Sequence, residues 1–365
     1  MRFQPIWTIL TVLAAYTTLV TAQYTLTDDL SHTNFLEGFE FFHDQDPTNG
    51  FVAYQTIEAA IQNKYIGYLN TSVILGVDST NVTPAGRPSI RAESKKTWNH
   101  GLLLADIRHM PDSTCGTWPA FWMLGSGAEW PMKGEIDILE GVNDEENNAV
   151  TLHTTAGCVV DGVSADANAP FTGNMVTHNC DIQAADQAKN QGCSIKAPAQ
   201  SDGKKLPTYG TDFNAAGGGI YALEWTSTSI SVWLIPRDSP LASNLSSSPT
   251  TMHPDPSTFG TPLAHFAGSS CDFDARFKDM KVIFDTTFCG EWAGAPDVWD
   301  KSCKAKTGSE TCDAFVRDHP EAFADAYWEI DGLRWFQSSR DETEKSGRGS
   351  SSVNNPKMRG RTYRW

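Results

Sequence analysis

Short runs of β-branched and aromatic residues, each bounded by turn-forming residues, recur along most of the chain. Such runs predict β-strands, and the clearest are residues 52–55, 65–69, 220–225, 230–234 and 281–284. The four residues 226–229 between two of these runs predict a hairpin loop. Helical patterns are scarce, and residues 313–319 are the best candidate. The pattern therefore predicts an all-β chain folded as an antiparallel β-sandwich.

The two ends of the chain differ from its middle. Residues 1–22 combine the basic Arg2 with an apolar stretch and small residues before position 23, which is typical of a cleaved secretory signal peptide. That stretch is shorter than the roughly 20 residues of a membrane-spanning helix. Residues 338–365 carry seven Lys or Arg against three Asp or Glu. They predict a flexible basic tail.

Residues 23–337, between these ends, show no repeat and no long linker, so they are predicted to form one domain.

The basic tail, residues 338–365, has two interpretations. It is either a solvated extension, which we favour, or a basic segment that binds an anionic surface. We expect a protein that is secreted, extracellular or held in the cell wall, with no stable membrane insertion.

Eight cysteines agree with export, because none lies in a CxxC pair and an even set is typical of structural disulfides. The sequence does not fix their pairing, and the local pairs Cys180 with Cys193 and Cys303 with Cys312 are guesses. Three N-glycosylation acceptor patterns begin at Asn70, Asn81 and Asn244. We therefore expect a disulfide-bonded glycoprotein.

Charge narrows the range of partners. The chain has 28 Lys plus Arg against 44 Asp plus Glu, a formal net charge of −16. Sequence-independent nucleic-acid binding needs a basic surface, so a nucleic-acid partner is not expected.

The 12 Trp residues are unusual for so polar a chain. Indole rings are suited to stacking against flat, neutral ligands.

One segment concentrates the candidate chemistry. In residues 134–143, Glu135 and Asp137 are separated by Ile136, so on a strand both carboxylates lie on one face. Glu140 would then point to the opposite, buried face. A β-bulge at Ile138 and Leu139 adds one residue and returns Glu140 to the acidic face. An amphipathic strand with a merely solvated acidic face is the simpler alternative.

Three neighbouring carboxylates cannot all ionise at low cost, so repulsion should raise at least one pKa. A retaining glycosidase uses two such groups, one as nucleophile and the other first as acid and then as base. The surrounding Trp residues favour this interpretation, because exposed indoles can stack on sugar rings. Trp118, Trp122 and Trp130 precede the acidic residues, and Trp292 follows in residues 288–294.

The E-x-D-x-x-E segment resembles the signature of glycoside hydrolase family 16, in its fungal laminarinase or endo-1,3(4)-β-glucanase branch. Further blocks resemble that branch in the same order: 116–122, 152–154, 217–222, 288–294 and 327–330. The resemblance covers about residues 24–337. It implies a concanavalin A-like jelly roll whose concave sheet forms an open cleft for a glucan chain.

The resemblance also implies roles for individual residues. Glu135 corresponds to the nucleophile, Asp137 to an assisting carboxylate and Glu140 to the acid/base. Trp122, Trp130 and Trp292 correspond to the family's aromatic platform, and His153 to a polar residue beside the reactive sugar. Arg91, in residues 86–91, resembles a block near the donor end of the cleft, and Trp118 is a further candidate contact.

The resulting hypothesis is a secreted, retaining endo-β-glucanase that acts on 1,3-linked and mixed 1,3;1,4-β-glucans as a monomer. No redox or organic cofactor is required. Family members carry a structural calcium ion, but no motif here identifies its ligands. Two alternatives remain: a cell-wall glucan transglycosylase and a non-catalytic β-glucan-binding recognition protein. The extra residue between Asp137 and Glu140 favours the hydrolase, and the presence of both glutamates disfavours the recognition protein.

Overall fold

The computed structural model describes residues 24–161, 170–201, 203–247 and 252–339. The predicted signal peptide and nearly all of the predicted basic tail lie outside these residues. Strands and short helices alternate in the described part. The α-helices are α1 (Phe35–Gly38), α2 (Ile57–Gln62), α3 (Gly210–Ala215), α4 (Pro240–Ser247), α5 (Phe273–Arg276), α6 (Gly290–Ala293), α7 (Pro296–Trp299), α8 (Cys303–Thr307) and α9 (Cys312–Asp318). The described residues also contain two 3-10 helices, Pro256–Thr258 and Pro320–Phe323.

The strands of the described residues are, in chain order, β1 (Tyr24–Leu30), β2 (Phe39–Phe41), β3 (Val52–Tyr54), β4 (Ile66–Leu69), β5 (Ser72–Leu75), β6 (Arg87–Ser89), β7 (Arg91–Ser94), β8 (Gly101–His109), β9 (Thr117–Gly125), β10 (Glu135–Glu140), β11 (Ala149–His153), β12 (Cys158–Val159), β13 (Asn174–Thr177), β14 (Cys193–Lys196), β15 (Gln200–Ser201), β16 (Lys204–Lys205), β17 (Gly219–Trp225), β18 (Ser229–Pro236), β19 (Ala264–Ala267), β20 (Ser270–Cys271), β21 (Met280–Phe288) and β22 (Trp328–Ser338).

Most of these strands form two eight-stranded antiparallel sheets. The first, which we call the site sheet, has the order β13-β14-β11-β10-β9-β21-β7-β2. The second, the back sheet, has the order β19-β18-β17-β8-β22-β5-β4, with β1 also paired to β22. Neighbours in each order are often distant in the chain, as expected of a jelly roll. The predicted antiparallel β-sandwich is confirmed.

The main hydrophobic core lies between the two sheets. Phe121 and Phe284, from neighbouring strands of the site sheet, stack with ring centroids 4.4 Å apart. Phe284 also meets Trp328 of the back sheet edge to face at 5.4 Å. Buried side chains of β8 join the same core. Burial of such large apolar side chains is the main stabilising contribution in a sandwich.

The back sheet is covered on both faces, which explains the continuous apolar run of β8. Leu103 and Ala105 face the main core, whereas Leu102 and Leu104 belong to a second cluster on the outer face. Leu245 of α4 packs into that second cluster. A strand buried on both sides loses the alternation of polar and apolar residues that a half-exposed strand shows.

The sequence predictions for individual elements were largely confirmed. All five predicted runs contain strands, and α9 lies where a helix was expected. The hairpin between β17 and β18 is present, but its loop has three residues, because Ser229 already belongs to β18. Helices are more numerous than expected, since several are single turns in loops, which are too short to show a periodic pattern.

The disulfides correct one prediction. Cys180 is bonded to Cys193, as predicted. Cys303, however, is bonded to Cys115 and not to Cys312, and Cys312 is bonded to Cys289. The reason lies in the sheet: Cys115 and Cys289 flank paired strands and emerge at the same end, where α8 and α9 also pack.

The fourth bridge joins Cys158 to Cys271, so all eight cysteines are paired. Among the described residues, no helix is both long and apolar enough to cross a membrane.

Candidate active site

The acidic segment forms strand β10, and the predicted β-bulge is present in it. Asp137 lies opposite Thr151 of β11, and the next paired residue, Glu140, lies opposite Ala149. Three steps along β10 thus match two along β11. Ile138 and Leu139 are both fully buried in the main core. Because both apolar residues point inward, Asp137 and Glu140 emerge on the same outer face of the site sheet.

Asn148 holds the bulge in place, and sequence reasoning missed it. Its Oδ1 accepts the backbone N–H of Glu140 at 2.8 Å, and its Nδ2 donates to the backbone carbonyl of Ile138 at 2.8 Å. These are the groups that a bulge withdraws from the ladder. Asn148 is itself fully buried and donates its backbone N–H to Thr208. The signal available in the sequence was an Asn directly before residues 149–153, which form β11.

Glu135 lies between two aromatic side chains. Its Oε2 accepts the indole N–H of Trp130 at 2.8 Å, and its Oε1 lies 3.8 Å from Nε2 of His153. His153 stands opposite Glu135 on β11, and the same Nε2 lies 3.2 Å from Oδ2 of Asp137. One imidazole nitrogen thus faces two of the three carboxyl groups. Trp130 is 40% exposed and leaves a large apolar face open beside Glu135.

Glu140 has a different environment. Its Oε1 accepts the indole N–H of Trp118 at 2.8 Å. The Trp118 ring is held in turn by an edge-to-face contact with Trp292, with centroids 5.5 Å apart. Only one carboxyl oxygen of Glu140 receives this bond. The other oxygen is therefore available to carry a proton.

The protonation of the three acids follows from their burial. Burial, followed by the charge of Asp137, raises the pKa of Glu135 to about 8 and that of Glu140 to about 8. Burial, followed by the charge of Asp285, raises the pKa of Asp137 well above its ordinary value. Two interactions act against burial at Glu135, namely the charge of His153 and the Trp130 N–H. The raised pKa agrees with the prediction, but burial contributes more than the repulsion on which the prediction was based, and the cluster holds protons at neutral pH.

Trp122 of β9 lies opposite Asp137 of β10, and its indole is held by Asp285. Its indole N–H donates to Oδ1 of Asp285 at 2.7 Å. The guanidinium of Arg91 lies 5.0 Å from the Trp122 ring and 4.6 Å from the ring of Phe42. Arg91 is only 7% exposed, so the structure places it beneath the indole and not on the open surface.

The structure thus brings together all the site residues that the sequence suggested. Glu135, Asp137, Glu140 and His153 lie on adjacent strands, with the four indoles arranged around them and Arg91 beneath. By contrast, the other Trp residues of the described part are buried: Trp98, Trp225, Trp233, Trp299, Trp328 and Trp335. The partly exposed indoles are therefore concentrated around the acidic strand.

Glu135, Asp137 and His153 also offer the kinds of atoms that bind a divalent cation, within 4.8 Å of one another. A mixed oxygen and imidazole set suits Zn²⁺ better than Ca²⁺, which prefers six or more oxygens. These residues do not resemble a structural calcium site. The sequence shows no motif for the ligands of a structural calcium ion, and we assign none.

Comparison with known proteins identifies the family. The model of the XgeA-like, catalytic GH16 domain matches residues 39–336. An endo-1,3(4)-beta-glucanase of Arthroderma benhamiae is 43% identical over 338 residues, covering 92% of this chain and 70% of that protein. A probable endo-1,3(4)-beta-glucanase of Aspergillus clavatus is 41% identical over 86% of this chain, which spans 46% of that protein.

Two solved structures are similar at comparable identity. An elongating GH family 16 beta-1,3-glucosyltransferase is 41% identical with a TM-score of 0.74, covering 86% of this chain and all of that chain. Laminarinase 16A of Phanerochaete chrysosporium, with beta-glucans in donor and acceptor sites, is 36% identical with a TM-score of 0.77, covering 87% of this chain and all of that chain.

The family resemblance seen in the sequence is confirmed by these matches, and so is the assignment of the chain as an enzyme. The matched residues 39–336 include both glutamates, the bulge and the surrounding indoles. The chain belongs to glycoside hydrolase family 16, in its XgeA-like group.

Proposed function

We propose that this glycoside hydrolase is a retaining endo-β-glucanase, and that Glu135 and Glu140 carry the reaction. The observation that carries the proposal is the bulge in β10, which puts both glutamates on one sheet face around Asp137. A strand without the bulge would bury Glu140 in the core. The surrounding indoles supply the stacking surface that a neutral sugar chain requires.

Glu135 is the nucleophile in this proposal. Its carboxylate oxygen attacks the anomeric carbon and forms a glycosyl ester while the glycosidic C–O bond breaks. With a pKa of about 8, Glu135 is ionised in only part of the enzyme near pH 7, and the Trp130 N–H and the charge of His153 favour the ionised form that attacks. Asp137 assists by holding a proton at neutral pH, because two buried anions side by side would be costly.

Glu140 is the acid and then the base. It gives its proton to the departing sugar oxygen in the first step, which its raised pKa permits at neutral pH. In the second step its carboxylate takes a proton from water, whose oxygen attacks the anomeric carbon and releases Glu135. The Trp118 bond to Oε1 keeps the carboxyl group oriented through both steps.

The substrate class rests on the relatives. The curated proteins at 43% and 41% identity are named endo-1,3(4)-beta-glucanases, and the laminarinase structure holds beta-glucans. We therefore propose 1,3-linked and mixed 1,3;1,4-β-glucans as substrates, with Trp122, Trp130 and Trp292 as stacking surfaces. No redox or organic cofactor is invoked, and a monomer suffices for this site.

Secretion is part of the proposal. Four disulfides pair every cysteine, a pattern typical of proteins from oxidising compartments. Residues 1–22 have the composition of a signal peptide. An extracellular or cell-wall location also suits an enzyme that acts on a polysaccharide.

Glucan transfer is the second candidate function. The solved glucosyltransferase at 41% identity shows that a closely similar chain transfers glucosyl units. A sugar hydroxyl would replace water in the second step and use the same glutamates. Incubation with laminari-oligosaccharides at rising concentration distinguishes the two, because a transferase yields products longer than the substrate and a hydrolase yields shorter ones.

The variant Glu135→Gln tests the assignment of the reaction. It keeps the size of the side chain and removes the nucleophile, so laminarin hydrolysis should be abolished while laminarin binding persists. Glu329→Gln, on the back sheet, is the matched control and should hydrolyse laminarin at the normal rate. A Glu135→Gln enzyme with near-normal activity would refute the assignment.

A further inference from the structure

Asp285 is a buried carboxylate that the mechanism above does not use. It lies on β21 and is only 6% exposed. Its Oδ1 accepts the Trp122 N–H at 2.7 Å, and its Oδ2 accepts the hydroxyl of Tyr54 at 2.9 Å. A buried carboxylate costs free energy unless it is paired. Two hydrogen bonds offset this cost at Asp285, and one of them comes from an indole of the site.

The sheet register places Asp285 in line with the acidic strand. Ala120 of β9 stands between them, opposite Asp285 on one side and opposite Glu140 on the other. Residues directly opposite in an antiparallel sheet share a face. Asp285, Ala120 and Glu140 therefore form one row, in which the small alanine separates two carboxyl groups. Arg91 lies opposite Asp285 on the far side and ends the row.

We propose that Asp285 is a positioning residue for the glycosyl transfer assigned above: it fixes the Trp122 indole beside Asp137, and its negative charge acts on the acidic strand. This proposal rests on the proposed function, since it concerns the same site. Asp285 touches no reacting atom. It acts through Trp122 and through the field it creates in a buried environment.

The charged groups around Asp285 come from several elements. Arg91 of β7 favours its charge, Asp46 of the loop before β3 opposes it, and Tyr54 of β3 donates a hydrogen bond. Burial, the largest effect, raises the pKa of Asp285 to about 6. The charge of Asp285 in turn raises the pKa of Asp137 and of Glu140.

Asp285 should therefore gain its negative charge as the pH rises through about 6. Because the Trp122 indole donates a hydrogen bond to Asp285, this change should alter the environment of the indole. Above that pH its anion helps the acidic strand to retain protons, because a neighbouring negative charge disfavours further ionisation. Positioning and electrostatics are thus two effects of one side chain.

The variant Asp285→Asn tests the proposal, because it keeps an oxygen for the Trp122 N–H and removes the charge. We expect the alkaline limb of the pH profile of kcat/KM for laminarin, which Glu140 sets as the acid, to move to lower pH by about one pH unit when the neighbouring charge is lost. A merely structural role would lower the rate without moving the alkaline limb. Asp106→Asn is the matched control, a buried aspartate on β8 of the back sheet that pairs with Arg237.

Tryptophan fluorescence supplies a readout that does not depend on activity. The native enzyme should show a fluorescence transition near pH 6, which Asp285→Asn and Trp122→Phe remove and Asp106→Asn leaves in place. If Asp285→Asn fails to fold, Tyr54→Phe serves instead: loss of its hydroxyl should move the transition to higher pH.

An unmoved alkaline limb in Asp285→Asn, or a fluorescence transition that persists in it, would overturn the proposal. If Tyr54→Phe is used instead, a fluorescence transition at the same pH as in the native enzyme would also overturn the proposal. An active Glu135→Gln enzyme would overturn the proposed function instead, and the fluorescence result would still decide on Asp285.

Discussion

The bulge in β10 depends on one side chain, so Asn148→Ala is the most informative perturbation of the site. Alanine removes both bonds of the Asn148 amide, to the Glu140 N–H and to the Ile138 carbonyl. Both groups would be left buried without a partner. Each unsatisfied group costs about 1–3 kcal/mol, so the variant should lose roughly 2–6 kcal/mol of stability. The midpoint of thermal unfolding should fall by roughly 3–9 °C.

Activity should also fall in the enzyme that remains folded. Without the two Asn148 hydrogen bonds the bulged conformation of β10 is no longer fixed, so Glu140 shifts relative to Glu135. A displacement of about 1 Å in a catalytic group can cost about 100-fold in rate. We therefore expect kcat on laminarin to fall by about 100-fold at a temperature where the variant is fully folded.

A matched control separates the two effects. Asn214 makes the same pair of bonds, to the N–H and carbonyl of Met110, at the end of β8 in the back sheet. Asn214→Ala should also lower the unfolding midpoint but should leave kcat unchanged. If the folded Asn148→Ala enzyme retained the kcat of Asn214→Ala, the bulge would not be what positions Glu140.

Two further predictions follow from the pKa values of the glutamates. Burial, more than any neighbour, raises the pKa of Glu140 to about 8, and the Trp118 N–H opposes this. Trp118→Phe should therefore move the alkaline limb of the kcat/KM profile to higher pH, and an unmoved limb would contradict this. The pKa of Glu135 rises from 4.5 to about 8 on folding, so its contribution to stability is present below pH 4.5 and is lost as pH rises through 8, at about 1.4 kcal/mol per pH unit. Glu135→Gln should thus gain stability over the native enzyme in thermal unfolding at pH 8 but not at pH 4; an equal difference at both would refute the burial argument.

The acidic strand shows how far local patterns can predict a site. Alternation of acidic and apolar residues fixes which face each side chain occupies, and the misplaced parity of Glu140 predicts the bulge without any partner strand. The same reasoning identifies Ile136 as a core residue, which it is. These inferences hold because they depend only on the period of a strand.

Partners from distant parts of the chain were beyond such reasoning. Asp285 is 163 residues away from Trp122, and nothing near either residue indicates the other. Cys303 was paired wrongly for a similar reason, because its partner Cys115 is 188 residues away. Which distant residues meet is set by the order of strands in the sheets, and the sequence shows strands more clearly than it shows their neighbours.

The stereochemistry of the first product tests the central claim most directly. A double displacement through Glu135 retains configuration at the anomeric carbon. Proton NMR of a laminari-oligosaccharide, recorded within the first minutes of hydrolysis, should therefore show the β-anomer first, with the α-anomer rising later by mutarotation. An α-anomer as the first product would contradict the nucleophilic role of Glu135 and indicate direct attack by water.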